Sequence, residues 1–511
     1  MKIQRSKNAS RNIIYGIVFR VFQTIVPFII RTIMIYSLGM QYVGLNGLFT
    51  SILHVLNVAE MGVGHAMIYS MYKPIAEDDT DKINKLLNIY KKYYRGIGLL
   101  ILTAGLLILP ILPKLIEGDV PQEINLYAIY LLTLATTVSS YWLFSYKNSL
   151  LTAHQRNDTY TKIQMAVYVV QYLLQGSALA IFENYYLFLV CALLGQILSN
   201  VIVLFVTNKM YPNYKASGRL PTDETKEINH RIRDLFTAKL GGTVTNSADT
   251  VVISAFLGLT LLAKYNNYFY ILTALFGFVT IIFQSCQAGI GNSLVVETAE
   301  KNYVDFNLFS MIMLWVIGLM TAMLLVLFQP FMLLWVHEEN MLDNSYAIMF
   351  SIYFYIYEIP MIWATYKDAG GIWHEDRFRP LTVTAVNLSL NLLTVQTLGL
   401  YGVILSTIIS YLFVGMPWML HNIFKCLFHR SAKEYVKKII YISGIAFVAC
   451  SLSYFLCNLI VLGGVTGMIC KGLTVFVVVN LIYLIGYLPL NDFPKMRKYV
   501  FSLLKRYIHK F

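Results

Sequence analysis

Apolar segments long enough to cross a bilayer recur from one end of the chain to the other, and few folds can accommodate them. With 57% hydrophobic and only 13% charged residues, the 511-residue chain is too apolar for a soluble globular protein. We therefore expect an all-α polytopic membrane protein. Windows of about 19 residues predict about fourteen spanning helices, near residues 13–37, 43–71, 96–115, 125–146, 160–182, 185–207, 235–257, 265–293, 306–335, 345–366, 380–397, 400–424, 438–460 and 466–488.

The positive charges indicate how these helices are oriented. The net charge is +13, and nearly all lysines and arginines lie in segments that an even number of spans places on the side of both termini. The opposite loops hold only Lys114 and Lys264. By the positive-inside rule, both termini are cytoplasmic. Because the basic residues lie in short connections between apolar runs, their number does not indicate binding to nucleic acid.

The first predicted span carries two charges that lipid disfavours. Arg20 and Arg31 lie inside the apolar run from Ile13 to Gly39, and their spacing of eleven residues places them on one helix face. Pro27 shares that face. Each charge would cost at least about 2.5 kcal/mol at the centre of a bilayer. We therefore expect this face to meet protein or water.

An internal repeat divides the chain into two similar halves. The sequence YKN at 146–148, followed by His154, recurs as YKD at 366–368, followed by His374 at the same spacing. Six spans per half give both halves the same orientation, related by a pseudo-twofold axis along the membrane normal. The predicted domains are an N-lobe of spans 1–6 (1–208), a cytoplasmic linker (209–233), a C-lobe of spans 7–12 (234–424), and spans 13 and 14 with a basic amphipathic tail (425–511).

Two basic segments outside the spans are predicted to be amphipathic helices. Residues 81–95 and 494–511 place apolar residues at helical spacing among lysines and arginines. This pattern is typical of helices that lie on an anionic membrane surface. Anionic lipids are therefore expected partners of both segments.

Ionisable residues within the spans mark the expected polar path between the lobes. They are Arg20, Arg31, His54, Glu60 and His65 in the first lobe, and Lys239, Asp249 and Glu358 in the second. Arg31 and Asp249 occupy equivalent positions of the repeat, so the lobes would present opposite charges at the same depth. Two interpretations remain open: the two residues pair when the lobes close, or each is satisfied within its own lobe.

Several of these residues have a structural alternative. Lys239 lies near the start of its span, where a lysine can extend to the membrane surface. Glu60 can equally be a packing carboxylate bonded to a neighbouring lysine or tyrosine. His54 and His65 share a helix face and permit a proton relay, although ordinary polar packing also explains them. Tyr353 and Tyr357 on the tenth span suit either stacking on sugar rings or an aromatic belt.

Sequence motifs of enzymes and metal sites are absent. The chain has no Walker A loop, HExxH, GxSxG or paired zinc-ligand motif, and its six cysteines show no CxxC spacing. We expect no catalytic residue, metal or cofactor. A gradient of Na+ or H+, or the membrane potential, would supply the energy for transport.

Three segments resemble bacterial polysaccharide flippases, the O-antigen and capsule type of the multidrug/oligosaccharidyl-lipid/polysaccharide (MOP) exporter superfamily. They are GLNGLFTSILHVLNVAEMGVGHAMIYSMYKPIAEDD (44–79), KLGGTVTNSADTVVISAFLGL (239–259) and TYKDAGGIWHEDRFRPL (365–381). The resemblance covers spans 1 to 12, and spans 13 and 14 correspond to the family's longer members mainly by position.

The resemblance implies a pair of six-helix bundles that move an undecaprenyl-pyrophosphate-linked oligosaccharide to the outer leaflet of the cytoplasmic membrane by alternating access. A pyrophosphate crossing an apolar medium needs fixed cations, for which the arginine fork is suited. Arg20, Arg31 and Lys239 are the candidates for the headgroup. Glu60, Asp249 and Glu358, with His54 and His65, are the candidates for coupling or gating. A polymerase and glycosyltransferases of the same pathway are expected partners.

Other functions remain open at this stage. A lipid II or multidrug exporter would have the same fold, although the arginines of the first span favour an anion over a cationic drug. A membrane glycosyltransferase or polymerase would need a large outer loop or a catalytic acidic pair, and the predicted outer loops are short.

Overall fold

The computed structural model describes residues 5–60, 63–118 and 120–508, with the side chains of 5–14, 17, 59, 65, 234–235, 237–246, 288, 500 and 502–508 excepted. Its helices are α1 (Arg5–Ser37), α2 (Met40–Leu56), α3 (Val63–Ala76), α4 (Thr80–Ile108), α5 (Leu126–Trp142), α6 (Asn148–Ala153), α7 (Asn157–Ala180), α8 (Tyr185–Met210), α9 (Thr222–Leu257), α10 (Leu259–Val296), α11 (Ala299–Val336), α12 (Asn344–Ala369), α13 (Arg379–Leu398), α14 (Leu400–Ser410), α15 (Met416–Ile423), α16 (Lys433–Asn458), α17 (Gly464–Tyr487) and α18 (Phe493–Ile508).

The predicted spans all coincide with helices, and the protein is an all-α polytopic membrane protein. Within the described ranges, nine helices are long and apolar enough to cross a membrane, or ten if the bent pair α5 and α6 forms one span. One of the nine runs from Leu400 to Phe428 through two π-helical turns. The remaining predicted spans coincide with α2 and α3, α4, α7 and α9.

The second predicted span is interrupted, which the hydropathy pattern did not indicate. After α2 the chain forms a 3-10 turn at Asn57–Glu60 before α3 begins. The Asn57 side chain accepts a hydrogen bond of 3.1 Å from the Tyr141 hydroxyl. Asparagine is a poor former of helix interiors. Asn57, which caps the end of α2 and bonds Tyr141, therefore explains why α2 ends here.

The expectation that 81–95 lies on the membrane surface is wrong. This segment is the first half of the continuous helix α4, and its apolar residues are buried within the protein. Leu86 and Leu87 are 1% and 0% exposed, and Tyr90 and Tyr94 are 3% and 7% exposed. An amphipathic helix buries its apolar face against whichever apolar surface is available, and here that surface is protein.

Contacts between residues divide the chain into two compact units, Met1–Asn266 and Asn267–Phe511. In the first unit, α7 packs against α1 and α8, and α2 packs against α9. Gly44 on α2 leaves no room for a side chain, because a Cβ there would overlap the carbonyl oxygen of Leu259. The lobe boundaries predicted from the repeat remain predictions.

The second unit is built on α11, which packs against α12, α16 and α17. The start of α18 belongs to this unit: Phe493 and Met496 are buried, and Lys438 on α16 forms an ion pair of 2.7 Å with Asp492. Tyr499 and Phe501 on α18 are 51% and 59% exposed. These exposed residues are consistent with the predicted amphipathic tail.

Candidate functional site

The helix α1 has one exposed apolar face and a polar face turned away from it. The residues of the apolar face, each 47–55% exposed, are Val18, Val21, Ile25, Ile29 and Tyr36. At about 100° per residue, Arg20 and Arg31 are turned roughly 120–140° around the helix axis from Ile25. The arginine face therefore points away from the face suited to lipid, as the sequence predicted.

Aromatic contacts with α7 fix this rotation of α1. The Phe19 ring stacks on Tyr168 with centroids 6.0 Å apart, and the Phe22 ring lies 6.1 Å from Tyr172. Arg20 is exposed, whereas Arg31 is half-buried and one of its terminal guanidinium nitrogens is completely enclosed. The two arginines thus differ in access: Arg20 is open to a ligand, and Arg31 is largely surrounded by protein.

Asp249 lies in a polar stretch of α9 within the same unit. It is 6% exposed, and its neighbours Ser247 and Thr250 are also buried. The carboxylate interacts electrostatically with Tyr265 on α10. Lys239 precedes it on α9, but the side chain of this candidate lies outside the described residues, as does the side chain of His65 on α3.

Glu60 is held at the interruption between α2 and α3. Its Oε1 accepts a hydrogen bond of 2.7 Å from the Tyr94 hydroxyl, and Tyr90 donates to Tyr94 at 2.9 Å. The packing alternative for Glu60, a bond to a neighbouring tyrosine, is therefore present in the structure. His54 is exposed on α2.

Glu358 on α12 is the most deeply buried candidate in the second unit. It is 1% exposed, and its Oε2 has no hydrogen-bond partner among the residues that the structure describes. A carboxyl group in this position is expected to be protonated or bound to a cation, because an isolated buried charge is unfavourable. Pro360 follows on the same helix.

Tyr353 and Tyr357 belong to an aromatic cluster on α12, in which Tyr357 directly precedes Glu358. Their rings stack with centroids 5.9 Å apart, and Phe276 lies 6.1 Å from Tyr353 and 4.6 Å from Tyr357. Tyr353 is 7% exposed, so other aromatic side chains cover most of its ring. Tyr357 is half-buried and has the greater access for a sugar.

Two buried aspartates outside the spans were missed in the sequence. Asp158 is 0% exposed and Asp376 is 3% exposed, and each forms ion pairs with an arginine and a lysine. The internal repeat could have identified them, because both aspartates follow the matched histidines His154 and His374. Asp158 lies in the first turn of α7 and Asp376 in the connection before α13, so their observed role is to hold these segments in place.

The first unit has an arginine-bearing face on α1 and a buried carboxyl group at Asp249, and the second unit has a buried carboxyl group at Glu358. Within the described parts of the chain, no group of three or more histidine, cysteine or acidic residues is placed to hold a metal ion. Fixed guanidinium groups can bind a phosphate-bearing ligand, and buried carboxyl groups can exchange a proton or a small cation.

The family model for polysaccharide biosynthesis proteins matches residues 9–287, more than half of the chain. No curated protein matches this chain significantly. Solved structures show the fold. The lipid II flippase MurJ in an inward closed conformation is 13% identical with a TM-score of 0.67, covering 93% of this chain and 99% of its own.

Two further structures are each described as a multidrug resistance MATE family transporter of the MOP superfamily. One, in an inward-facing conformation, is 16% identical with a TM-score of 0.62, covering 79% of this chain and 94% of its own. The other, in an outward-facing conformation, is 15% identical with a TM-score of 0.55, covering 82% of this chain and 95% of its own. The chain therefore belongs to the polysaccharide biosynthesis protein family, and its fold is similar to those of the MurJ and MATE family structures.

Proposed function

We propose that this protein is a flippase for a lipid-linked oligosaccharide. It moves an undecaprenyl-pyrophosphate-linked repeat unit from the inner to the outer leaflet of the bacterial cytoplasmic membrane, for capsule, O-antigen or another surface polysaccharide. Both termini lie in the cytoplasm. Glycosyltransferases of the same pathway act on the glycan before it crosses, and a polymerase acts on it afterwards.

The observation that carries this proposal is the orientation of α1. Its two arginines are turned away from the exposed apolar face, and Arg20 is open to a ligand. A pyrophosphate has several anionic oxygens, and guanidinium groups bind such groups through paired hydrogen bonds. Arg20 contributes a standing anion site, Arg31 a second contact, and Lys239 on α9 a third cation.

Energy for the cycle comes from a difference in binding between two conformations, coupled to an ion gradient or the membrane potential. Glu358 is the favoured coupling residue, because it is deeply buried and one carboxyl oxygen lacks a hydrogen-bond partner among the described residues. Asp249 is a second candidate. Glu60 is the weakest, since its hydrogen bond to Tyr94 gives it a structural role.

A lipid II exporter is the second candidate, since the lipid II flippase MurJ has a similar fold. The identity of 13% supports a common fold and no common substrate. A multidrug exporter is disfavoured because fixed cations on α1 repel cationic drugs.

The test is to replace the arginines and measure export of the polysaccharide in cells. Loss of one charged hydrogen-bonding group costs about 1.5–3 kcal/mol, so Arg20→Ala and Arg31→Ala should each lower export roughly ten- to hundredfold. Arg20→Lys should retain part of the activity, because it keeps the charge but not the paired hydrogen bonds. The measured quantities are surface glycan and accumulated lipid-linked intermediate.

Arg377 provides a matched control, because it is an exposed arginine in the connection before α13. Arg377→Ala should export normally. Normal export by both alanine variants of α1, with folded protein at wild-type levels in the membrane, would rule out the headgroup role. Accumulation of lipid II in place of the lipid-linked oligosaccharide would favour the second candidate.

A further inference from the structure

The second unit contains a cavity of about 410 Å³ that the transport proposal does not use. It lies between α11, the start of α12, and the connection from α16 to α17. Most of its lining residues are apolar or glycine. Its polar wall residues are Gln329, Asn344, Tyr454, Asn458 and Lys471. Lys471 is the charged residue in this wall, and its position inside an apolar helix requires an explanation.

Lys471 lies inside the apolar helix α17, seven residues after Gly464. At about 1.5 Å per residue, this places it roughly 10 Å from the start of the helix. The neighbouring side chains Val465, Ile469 and Leu473 are 58–64% exposed, as expected for a helix surface that meets lipid. Among the described residues, no carboxylate lies within 4.0 Å of the Lys471 ammonium group. The charge therefore has no counter-ion within this part of the protein.

Two glycines shape the chain at the rim of the cavity. Gly467 allows the connection to fold back over α17, because a Cβ there would overlap the carbonyl oxygen of Leu462. Gly464 has a φ of +64°, in the left-handed region that glycine adopts readily. Val461 is 95% exposed, and Leu333 across the cavity is 48% exposed. The rim is therefore apolar and suited to contact with lipid.

Two further hydrogen-bond donors face the same space. Asn344 donates a hydrogen bond of 2.6 Å to the Tyr454 hydroxyl, which leaves the Tyr454 hydrogen available for a ligand. Asn458 is exposed at the end of α16. Gln329 is already used, since it donates to the Leu342 carbonyl and accepts from Tyr268. A cation and two uncharged donors around an apolar cavity form a suitable site for one phosphate group with a hydrocarbon chain attached.

We infer that this cavity binds the phosphate group of an anionic phospholipid. Lys471 supplies the charge, Tyr454 and Asn458 donate hydrogen bonds to the phosphate oxygens, and an acyl chain lies along Leu333 and Val461. The lysine side chain points toward the start of α17, as helical side chains do, which directs its charge to the level of the lipid headgroups. The site is separate from the arginines of α1 and does not depend on the transported substrate.

The simpler alternative is that Lys471 extends to water and binds no lipid. The two cases differ in lipid preference: a lysine that is only hydrated does not distinguish phosphatidylglycerol from phosphatidylcholine. The exposed carboxylate of Asp343, next to Asn344, gives a second distinction. It opposes an anion in the cavity, so Asp343→Asn should strengthen binding of an anionic lipid.

The experiment measures binding of phosphatidylglycerol and phosphatidylcholine to the purified full-length protein in nanodiscs, by native mass spectrometry and by the unfolding temperature. The wild type should prefer phosphatidylglycerol by about fivefold or more, since one lysine near a membrane surface contributes about 1 kcal/mol. Lys471→Gln should abolish this preference, and Lys471→Arg should retain it. Met468→Trp, which fills the cavity, should also abolish it.

Lys114→Gln is the matched control, because Lys114 is an exposed lysine that the sequence places on the same side of the membrane as the start of α17. Its preference should equal that of the wild type. Inorganic phosphate alone tests the source of the ligand: competition with phosphatidylglycerol supports a phosphate site, and stabilisation equal to that by the lipid would overturn the lipid assignment. Equal binding of both lipids by the wild type, or an unchanged preference in Lys471→Gln, would overturn the proposal.

Discussion

Two connections at corresponding places in the repeat each contain an ion pair between an arginine and an aspartate. The two residues follow each other in opposite order along the chain. In the first unit, Arg156 precedes Asp158, and the two lie 3.0 Å apart. In the second unit, Asp376 precedes Arg379, which donates two hydrogen bonds to it, of 2.7 and 2.9 Å. Both halves thus have an ion pair at this place, with the arginine first in the first unit and the aspartate first in the second.

The connections differ in how deeply the cations are enclosed. Around Asp158, the side chains of Arg156 and Lys162 are 28% and 40% exposed. Around Asp376, those of Arg379 and Lys367 are 13% and 14% exposed. Cations that reach water can lose their partner at modest cost, whereas enclosed cations cannot.

The two connections also differ in the contacts that their matched lysine and histidine make. Lys147 donates 3.0 Å to the carbonyl oxygen of Tyr214, and the His154 ring lies 4.3 Å from the Tyr211 ring. Both contacts attach the segment that follows α8 to the connection between α5 and α7. In the second unit, Lys367 bonds Asp376 and Asp368 within its own connection. The first connection therefore anchors the segment after α8, whereas the lysine of the second bonds within its own connection, whose Asp376 also accepts a hydrogen bond of 3.4 Å from Asn422 on α15.

The largest effect is expected from Asp376→Asn. It leaves Arg379 and Lys367 enclosed without their shared carboxylate, and removal of one partner of a buried ion pair costs about 3–5 kcal/mol. The unfolding temperature of the purified protein should fall accordingly. Asp368→Asn is the control, because Asp368 bonds the same lysine but is 42% exposed, and it should cost less than about 1 kcal/mol. Equal effects of the two variants would contradict the importance of enclosure.

A smaller effect is expected from Asp158→Asn, although Asp158 is itself fully buried. Arg156 and Lys162 can turn to water, so the loss is that of hydrogen bonds to a charged group, about 1.5–3 kcal/mol. The same thermal unfolding measurement applies. If Asp158→Asn is more damaging than Asp376→Asn, the exposure of the cations does not determine the difference between the two connections.

The sequence predicted the helices well because the thickness of the bilayer fixes the length and composition of a span. It also predicted the arginine face of α1, since helical periodicity alone places Arg20 and Arg31 together. It did not predict whether the apolar side of 81–95 meets lipid or protein, because both partners select the same pattern. The repeat identified His154 and His374, but their different surroundings depend on contacts distant in sequence.

The smallest expected effect concerns His154 and pH. Its Nδ1 donates 2.8 Å to the carbonyl oxygen of Leu150, and its Nε2 is buried with no hydrogen-bond partner in the described parts of the chain. Burial lowers the pKa of His154, and the bond to Leu150 opposes this in part. Because the unfolded state then binds the proton more readily, this contribution to stability is complete above the unfolded pKa of about 6.5 and is lost as the pH falls below it.

Between pH 7.5 and 5.5, the contact of His154 with Tyr211 and Tyr214 should therefore weaken, and limited proteolysis near residues 211–219 should accelerate. His154→Gln, which stays neutral, should make cleavage less dependent on pH. His374→Gln is the matched variant, because His374 is exposed and bonds Arg377 in its own connection. It should leave the pH dependence of cleavage unchanged. Equal responses of the two variants would mean that the two histidines do not differ in function, since only His154 anchors the segment that follows α8.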